Sequence, residues 1–289
     1  MIAWDDAAGL PVLDVGQVVE LERRIAAEGA SLYELMKRAG AAVAEAVCAE
    51  VEAIGAVRTK AAAELEVAAY DEAVAGLEAA ALDEIAAMQP SVALDEATAE
   101  SEAVALDEAA SGPSSVVVLA GSGNNGGDGW VAASLLAGRG MDVTLVTKTP
   151  ADQVQAEPAH AAAHDACTGA DAPRFAVAVN PDTAQLDALL SQADVVVDAI
   201  LGTGFSHLEV REPYATWINA VNCIRCDMGA RVIAVDVPSG LNAQTGEPAD
   251  SCVQADITVT MLAAKPGLLT ARGRAQAGRL FLASLGCDV

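Results

Sequence analysis

The densest group of residues able to do chemistry is GSGNNGGDG, Gly121 to Gly129. It follows the apolar run SVVVLA and opens a helical pattern. Glycines let a backbone turn sharply and approach a ligand closely, and free N–H groups at a helix start form an anion site. Gly121, Gly123 and Gly126 match G-x-G-x-x-G literally. A dinucleotide fingerprint also expects an acid at the end of the next strand to hold ribose. Here that strand ends in Thr147-Lys148. Asn124, Asn125 and Asp128 add polar groups that the plain fingerprint does not need. A tight turn made for packing is the alternative reading.

Two later segments share a design. In VVDAILGTGFS, Asp198 sits where an apolar strand runs out, and Gly202 and Gly204 form a second phosphate-friendly turn. In VDVPSG, Asp236 holds the same position, followed by Ser239 and Gly240. A carboxylate at such a strand end is costly unless it is paired, hydrated or ligand-facing. One alone would suit a helix cap or a turn; two, each followed by a Gly-containing turn, point to a site. Lys265, after the run 256–261, either meets a phosphate or is solvated. His160 and His164 lie i, i+4, but Ala161 stands where a zinc-binding H-E-x-x-H needs glutamate, so they read as an exposed structural pair. Cys223 and Cys226 form a C-x-x-C without a second one or a nearby histidine, which reads as reduced thiols near a helix end. The six cysteines are scattered, unlike a disulfide framework, which agrees with an intracellular, cytoplasmic protein.

These residues need strands and helices to bring them together. Val-rich runs at 115–120, 142–147, 194–200, 231–237, 256–261 and 279–283 read as strands, with a weaker one near 174–178. Helical patterns lie between them at 128–139, 153–167, 183–192 and 213–222. Continuous apolar strands alternating with helices imply a parallel sheet covered on both faces. The expected fold is α/β: a three-layer α/β/α sandwich with a Rossmann-like, mostly parallel sheet. Sites in such folds gather at the carboxyl ends of strands, here after 120, 197, 236 and 262. Upstream, 16–28 and 31–48 look helical. Ser31 and Glu34 suit a capping box, and Leu32, Leu35, Met36, Ala39 and Val43 space an apolar face.

The 289 residues carry a net charge of −25, which argues against nucleic acid or an anionic membrane as partner. No apolar run approaches a transmembrane length of about 18 residues. The N-terminus lacks the basic and apolar regions of a secretory signal. Between Glu45 and Ala110 stand 16 acidic and two basic residues. The tetrad A-[YL]-D-E recurs there at 69–72, 81–84, 93–96 and 105–108. A period of 12 rotates each copy by about 120° around a helix, so the copies build no continuous stripe. Pro90 would also break a long helix. The segment 49–112 reads as a low-complexity acidic insert with fragments of helix, interrupting one domain over 1–289.

Together these segments resemble the NAD(P)H-hydrate epimerases, the YjeF N-terminal domain-like family, whose domain is also the N-terminal half of a bifunctional repair enzyme. The resemblance rests on LMKRAGAAVAEAV (35–47), AGSGNNGGDGWVAA (120–133), VVDAILGTGFS (196–206), REPYATWIN (211–219), VIAVDVPSGLNAQTG (232–246) and ADITVTMLAAKPGLL (255–269). NNGGDG, DA-x-LGTG and D-x-PSG in this order are highly specific. The chain departs from the family in its insert and in the loop SHLEVREP after Phe205. The resemblance implies an isomerase that interconverts the R and S forms of hydrated NADH and NADPH, serving a separate dehydratase. It implies that Asn124, Asn125, Gly126, Gly127 and Asp128, the loop Gly202, Thr203, Gly204, Phe205, Ser206, His207 and Leu208, and Asp236 hold the substrate. It implies that Asn125, Asp198 and Ser239 hold one potassium ion, and it suggests a homodimer. Asp236 is the candidate catalytic acid/base, a role that needs a carboxyl pKa lifted toward neutrality. These residues include no kinase-like dehydratase segment, so ATP-dependent dehydration is not expected of them. The rival readings are an NAD(P)-dependent oxidoreductase and a non-catalytic binding module of the same fold.

Overall fold

The computed structural model describes residues 1–3, 11–87, 114–169 and 173–287. The described strands are β1 (Ile2–Ala3), β2 (Ser115–Ala120), β3 (Asp142–Thr147), β4 (Ala176–Val179), β5 (Val195–Ala199), β6 (Arg231–Val235), β7 (Ile257–Met261) and β8 (Arg279–Ala283). The described helices are α1 (Val15–Ala27), α2 (Leu32–Ala87), α3 (Asn124–Gly138), α4 (Ala159–Thr168), α5 (Thr183–Leu190), α6 (Tyr214–Met228), α7 (Pro266–Leu269) and α8 (Ala271–Ala277). The strands form one sheet in the order β1-β8-β7-β6-β5-β2-β3-β4. From β2 to β8 every pairing is parallel; only β1 runs antiparallel, beside β8.

Val, Leu and Ile make the central strands, and all five residues of β5, VVVDA, are buried. Successive side chains of a strand face opposite sides. Val117 and Leu119 of β2 pack with Leu186 and Leu190 of α5 and with Trp217, Ile218 and Val221 of α6. Val118 faces the other way, toward α3, where a Cβ built on Gly129 would sit 3.3 Å from it. Helices therefore cover both faces, giving the expected α/β/α sandwich.

Capping follows the sequence. Asp14 and Gln17 cap α1 reciprocally, as Asp182 and Gln185 cap α5. Ser31 Oγ accepts the Glu34 N–H at 3.0 Å, while the Glu34 carboxylate pairs with Lys37, so the expected box is at least half made. Leu35, Met36, Ala39 and Val43 are buried as their spacing predicts; Leu32 is 44% exposed.

The largest difference lies in α2. The sequence predicts a helix over 31–48 and then fragments, but one helix runs unbroken from Leu32 to Ala87. Ala, Glu and Leu have high helix propensity, and Gly55 and Gly76 cost only about 1 kcal/mol each. Pro90 and the tetrads at 93–96 and 105–108 lie outside the described residues. The chain divides into two compact units, Met1–Glu50 with Ser114–Val289, and Val51–Pro113. Among the described residues, no helix is long and apolar enough to cross a membrane.

Candidate active site

The second difference falls on the glycine motif. It is the start of α3 rather than a loop: Asn124 to Gly129 are already helical, with Gly123 as N-cap. Glycine is a poor helix former, so propensity places the start later, at 128. Packing overrides propensity here. A Cβ on Gly126 would lie 1.9 Å from Gly121 O, and one on Gly127 would lie 2.5 Å from Met36 Sδ. Both glycines let the helix close onto protein, and neither takes a positive φ. The packing alternative is therefore the observed reason for these two.

In front of α3 lies a cleft of about 570 Å3, at the carboxyl ends of β2, β5, β6 and β7. That volume suits a small organic ligand. Its lining contains Asn124, Asn125 and Asp128 from α3 and Gly202, Thr203, Gly204, Phe205 and His207 from the loop after β5. Asp236, Leu262 and Lys265 close the floor, and Val19, Glu22, Leu35, Met36 and Ala39 of α1 and α2 close the side. Of the residues expected at a site, Gly126, Gly127, Ser206, Leu208, Asp198 and Ser239 are not on this wall; Leu208 is 76% exposed on the loop.

Asp198 and Ser239 lie buried behind it, both fully excluded from solvent. The Ser239 N–H donates to Asp198 Oδ2 at 2.7 Å and Ser239 Oγ donates to Oδ1 at 2.5 Å. The Ile200 N–H donates to Oδ1 at 3.3 Å, and Ser239 Oγ accepts the Leu201 N–H at 2.8 Å. These bonds tie the turn after β5 to the turn after β6. Burial holds the Asp198 carboxyl up at about 6, against the downward pull of the Ser239 and Ile200 hydrogen bonds. Nearby, Asn125 Nδ2 is buried without a partner among the described residues.

Asp236 has the less usual backbone, a left-handed φ of 65° on a non-glycine residue. Such a conformation costs roughly 1–3 kcal/mol and is found where a site fixes a side chain. Its N–H donates to Val259 O at 2.8 Å, and its Oδ1 accepts the Met261 N–H at 3.1 Å. Lys265 supplies the expected pairing of this carboxylate. The Lys265 ammonium donates to Asp236 Oδ1, to Thr260 Oγ1 at 3.1 Å and to Met261 O at 3.0 Å. Three acceptors satisfy its three protons. Lys265 is fully buried, so the solvated reading of this lysine is overturned. Of the options open to a strand-end carboxylate, Asp236 takes two: it is paired with Lys265 and it faces the cleft.

Burial raises the pKa of two carboxyls on this cleft, Asp128 and Glu22. Asp128 lies well above the usual carboxylate range, through burial first and then the charges of Asp236 and Glu22, with Lys265 opposing. Glu22 is raised by burial and by Asp236, again against Lys265. Sequence reasoning missed Glu22. The available signal was a glutamate one turn after Val18 and next to Leu21, both buried on the inner face of α1. The histidine pair makes structural contacts, but only His164 is exposed as expected: His160 is half-buried, its Nδ1 bonding Val154 O at 2.8 Å, while His164 bonds Thr168. No metal-ligating cluster of three or more His, Cys, Asp or Glu side chains occurs among the described residues. Cys223 and Cys226 are free, exposed thiols in the last turns of α6.

The chain is similar to proteins whose names bear on this cleft. It is 44% identical over 173 residues to the bifunctional NAD(P)H-hydrate repair enzyme of Hyperthermus butylicus, covering 60% of this chain and 30% of that one. It is 41% identical over 172 residues to the NAD(P)H-hydrate epimerase of Limosilactobacillus fermentum, covering 59% of this chain and 74% of that one. The matched region spans less than a third of the bifunctional relatives. The fold resembles the crystal structure of yeast ynu0, with TM-score 0.57 and 20% identity over 89% of this chain and 83% of that one. The profile of the family described as YjeF-related protein N-terminus matches residues 32–267, and the chain belongs to that family.

Proposed function

We propose that this chain interconverts the R and S epimers of hydrated NADH and NADPH. The observation that carries the reading is the convergence of NNGGD, the GTGF loop and Asp236 on one cleft. The identity with the Limosilactobacillus fermentum epimerase over most of its length supports it. In the substrate, the hydroxyl-bearing ring carbon adjoins the ring nitrogen. Loss of that hydroxyl as water, with the nitrogen lone pair forming the C=N bond, gives a planar iminium. Water then adds to either face and loses a proton. The Asp236 carboxylate, fixed by Lys265 and the Met261 N–H, faces the cleft and takes the proton of the incoming water. A dehydratase that consumes one epimer is the partner such an activity would serve, and the bifunctional relatives carry names consistent with that coupling.

The buried groups beside the cleft fit a potassium ion. Asn125 offers an amide oxygen, Asp198 is a buried carboxyl whose hydrogen-bond partners are all uncharged, and Ser239 adds a hydroxyl. Oxygen ligands suit a hard monovalent cation. Asn125, Asp198 and Ser239 would hold it, and it would supply the counter-charge that Asp198 lacks. The test is incubation with one purified epimer of NADPH hydrate, followed by chromatographic separation of the two. Appearance of the second epimer faster than in buffer supports the proposal; an unchanged rate overturns it.

A further inference from the structure

Four of the charged or titratable side chains that line the cleft are Glu22 from α1, Asp128 from α3, Asp236 after β6 and Lys265 before α7. They come from four separate elements and face one volume. The other titratable side chains on its lining are His207 and Tyr214. One lysine stands against three carboxyls, and it is committed to Asp236, Thr260 and Met261. Lys265 and the Met261 N–H thus fix the Asp236 carboxylate in place. Glu22 and Asp128 have no cation of their own on this wall. Epimerisation needs a group that gives a proton to a leaving hydroxyl and a separate group that takes one from water. A carboxylate locked to an ammonium suits the second task and not the first.

We infer that Asp128 is the proton donor of this site and that Glu22 of α1, which lines the same cleft, is a positioning residue for it. The inference rests on the epimerase reading. In the forward step the carbon–oxygen bond breaks, its electrons leave with oxygen, and the Asp128 proton completes the departing water. The nitrogen lone pair forms the carbon–nitrogen double bond. In the return step water oxygen bonds to the same carbon from the other face, the double-bond electrons return to nitrogen, and Asp236 takes the proton. Transfer of that proton from Asp236 to Asp128 restores the starting state. Burial first, then the charges of Asp236 and Glu22, shift Asp128 toward its protonated form, with Lys265 opposing. Glu22 touches no reacting atom on this account; it is a positioning residue that acts through its charge.

Two measurements test this. Difference infrared spectra at pH 7, wild type against Asp128→Asn, read the protonation state without any turnover. A protonated-carboxyl band present in the wild type and absent from the variant is expected; no such band overturns the inference. The second measurement is the pH profile of kcat/KM. Asp128→Asn should lose on the order of 100-fold or more and lose the alkaline limb. Glu22→Gln removes a like charge, so the alkaline limb should move to lower pH by on the order of one unit. A merely structural Glu22 would leave the limb in place, and an unmoved limb in a folded Glu22→Gln protein overturns its role. Wild-type protein that shows the band but never equilibrates the epimers overturns the epimerase reading instead.

Discussion

Lys265 is the residue at which chemistry and stability are hardest to separate, because it is a fully buried cation with a single carboxylate partner. Replacing Asp236 by Asn leaves that charge uncompensated, at a cost of roughly 3–5 kcal/mol. The double variant Asp236→Asn, Lys265→Met should recover most of the lost stability in urea melts, yet stay inactive. Recovery of epimerisation in the double variant would remove Asp236 from the mechanism. Asp198 makes a second prediction. Its folded carboxyl is held at about 6, above the ordinary carboxylate value expected when unfolded. Between these values the native state binds more protons, so this group's stabilising contribution is fully present at low pH and is lost as pH rises through 6. The loss amounts to about 3 kcal/mol at most. A bound cation would offset it. Replacing potassium chloride by choline chloride should therefore lower Tm at pH 8, have little effect near pH 4, and have little effect at either pH in Asp198→Asn. An equal Tm in both salts at pH 8 removes the cation from this site. Both aspartates were legible as strand-end carboxylates, of which Asp198 is buried and Asp236 faces the cleft. What resolves each was not: the partner of Asp236 is 29 residues away, and the closing bonds of Asp198 come from a serine 41 residues away.

Among the elements, the strands were readable because continuous Val runs between helical patterns have one comfortable solution, a sheet buried on both faces. The runs at 115–120 and 142–147 are β2 and β3 to the residue. The start of α3 was not readable, because its glycines contradict local propensity and make sense only against Gly121 and Met36. The short elements β1, α7 and α8 escaped for a related reason: each spans seven residues or fewer, too short for a period to register. The α3 packing makes a prediction about position. Gly126→Val must push the first turn of α3 off the backbone of Gly121 and should cost about 3 kcal/mol or more. Gly123→Ala, where an added Cβ meets nothing within 4 Å, should cost less than about 1 kcal/mol. Urea midpoints compare the two directly. Equal midpoints would show that the motif glycines serve the ligand and not the helix.

In the sheet-containing unit, the points where the chain leaves and re-enters lie at the other end of the strands from the cleft. Glu50, where that unit is left, pairs with Arg231 and Arg279, the first residues of β6 and β8. Ser115, the first residue of β2, donates its N–H to Asp194, just before β5, at 3.0 Å. The chain thus leaves and re-enters at the amino ends of the parallel strands, whereas the cleft lies at their carboxyl ends. From Val51 to Leu65 the side chains of α2 are exposed apart from Val51 and Ile54, so little apolar surface there needs a partner. Loop-closure entropy changes slowly with length, so shortening such a connection costs little. After deletion of residues 60–108, the exposed helix beyond Glu50 can unwind and, with the six residues before Ser115, join two points on the same sheet edge. The shortened protein should keep a Tm within about 5 °C of the parent, roughly the shift that 1 kcal/mol produces. Its kcat should be similar and its net charge far less negative. Loss of solubility or turnover in the deletion protein would mean that the sheet-containing unit needs the acidic segment to fold or to order its cleft, and the reading of that segment as dispensable would then be wrong.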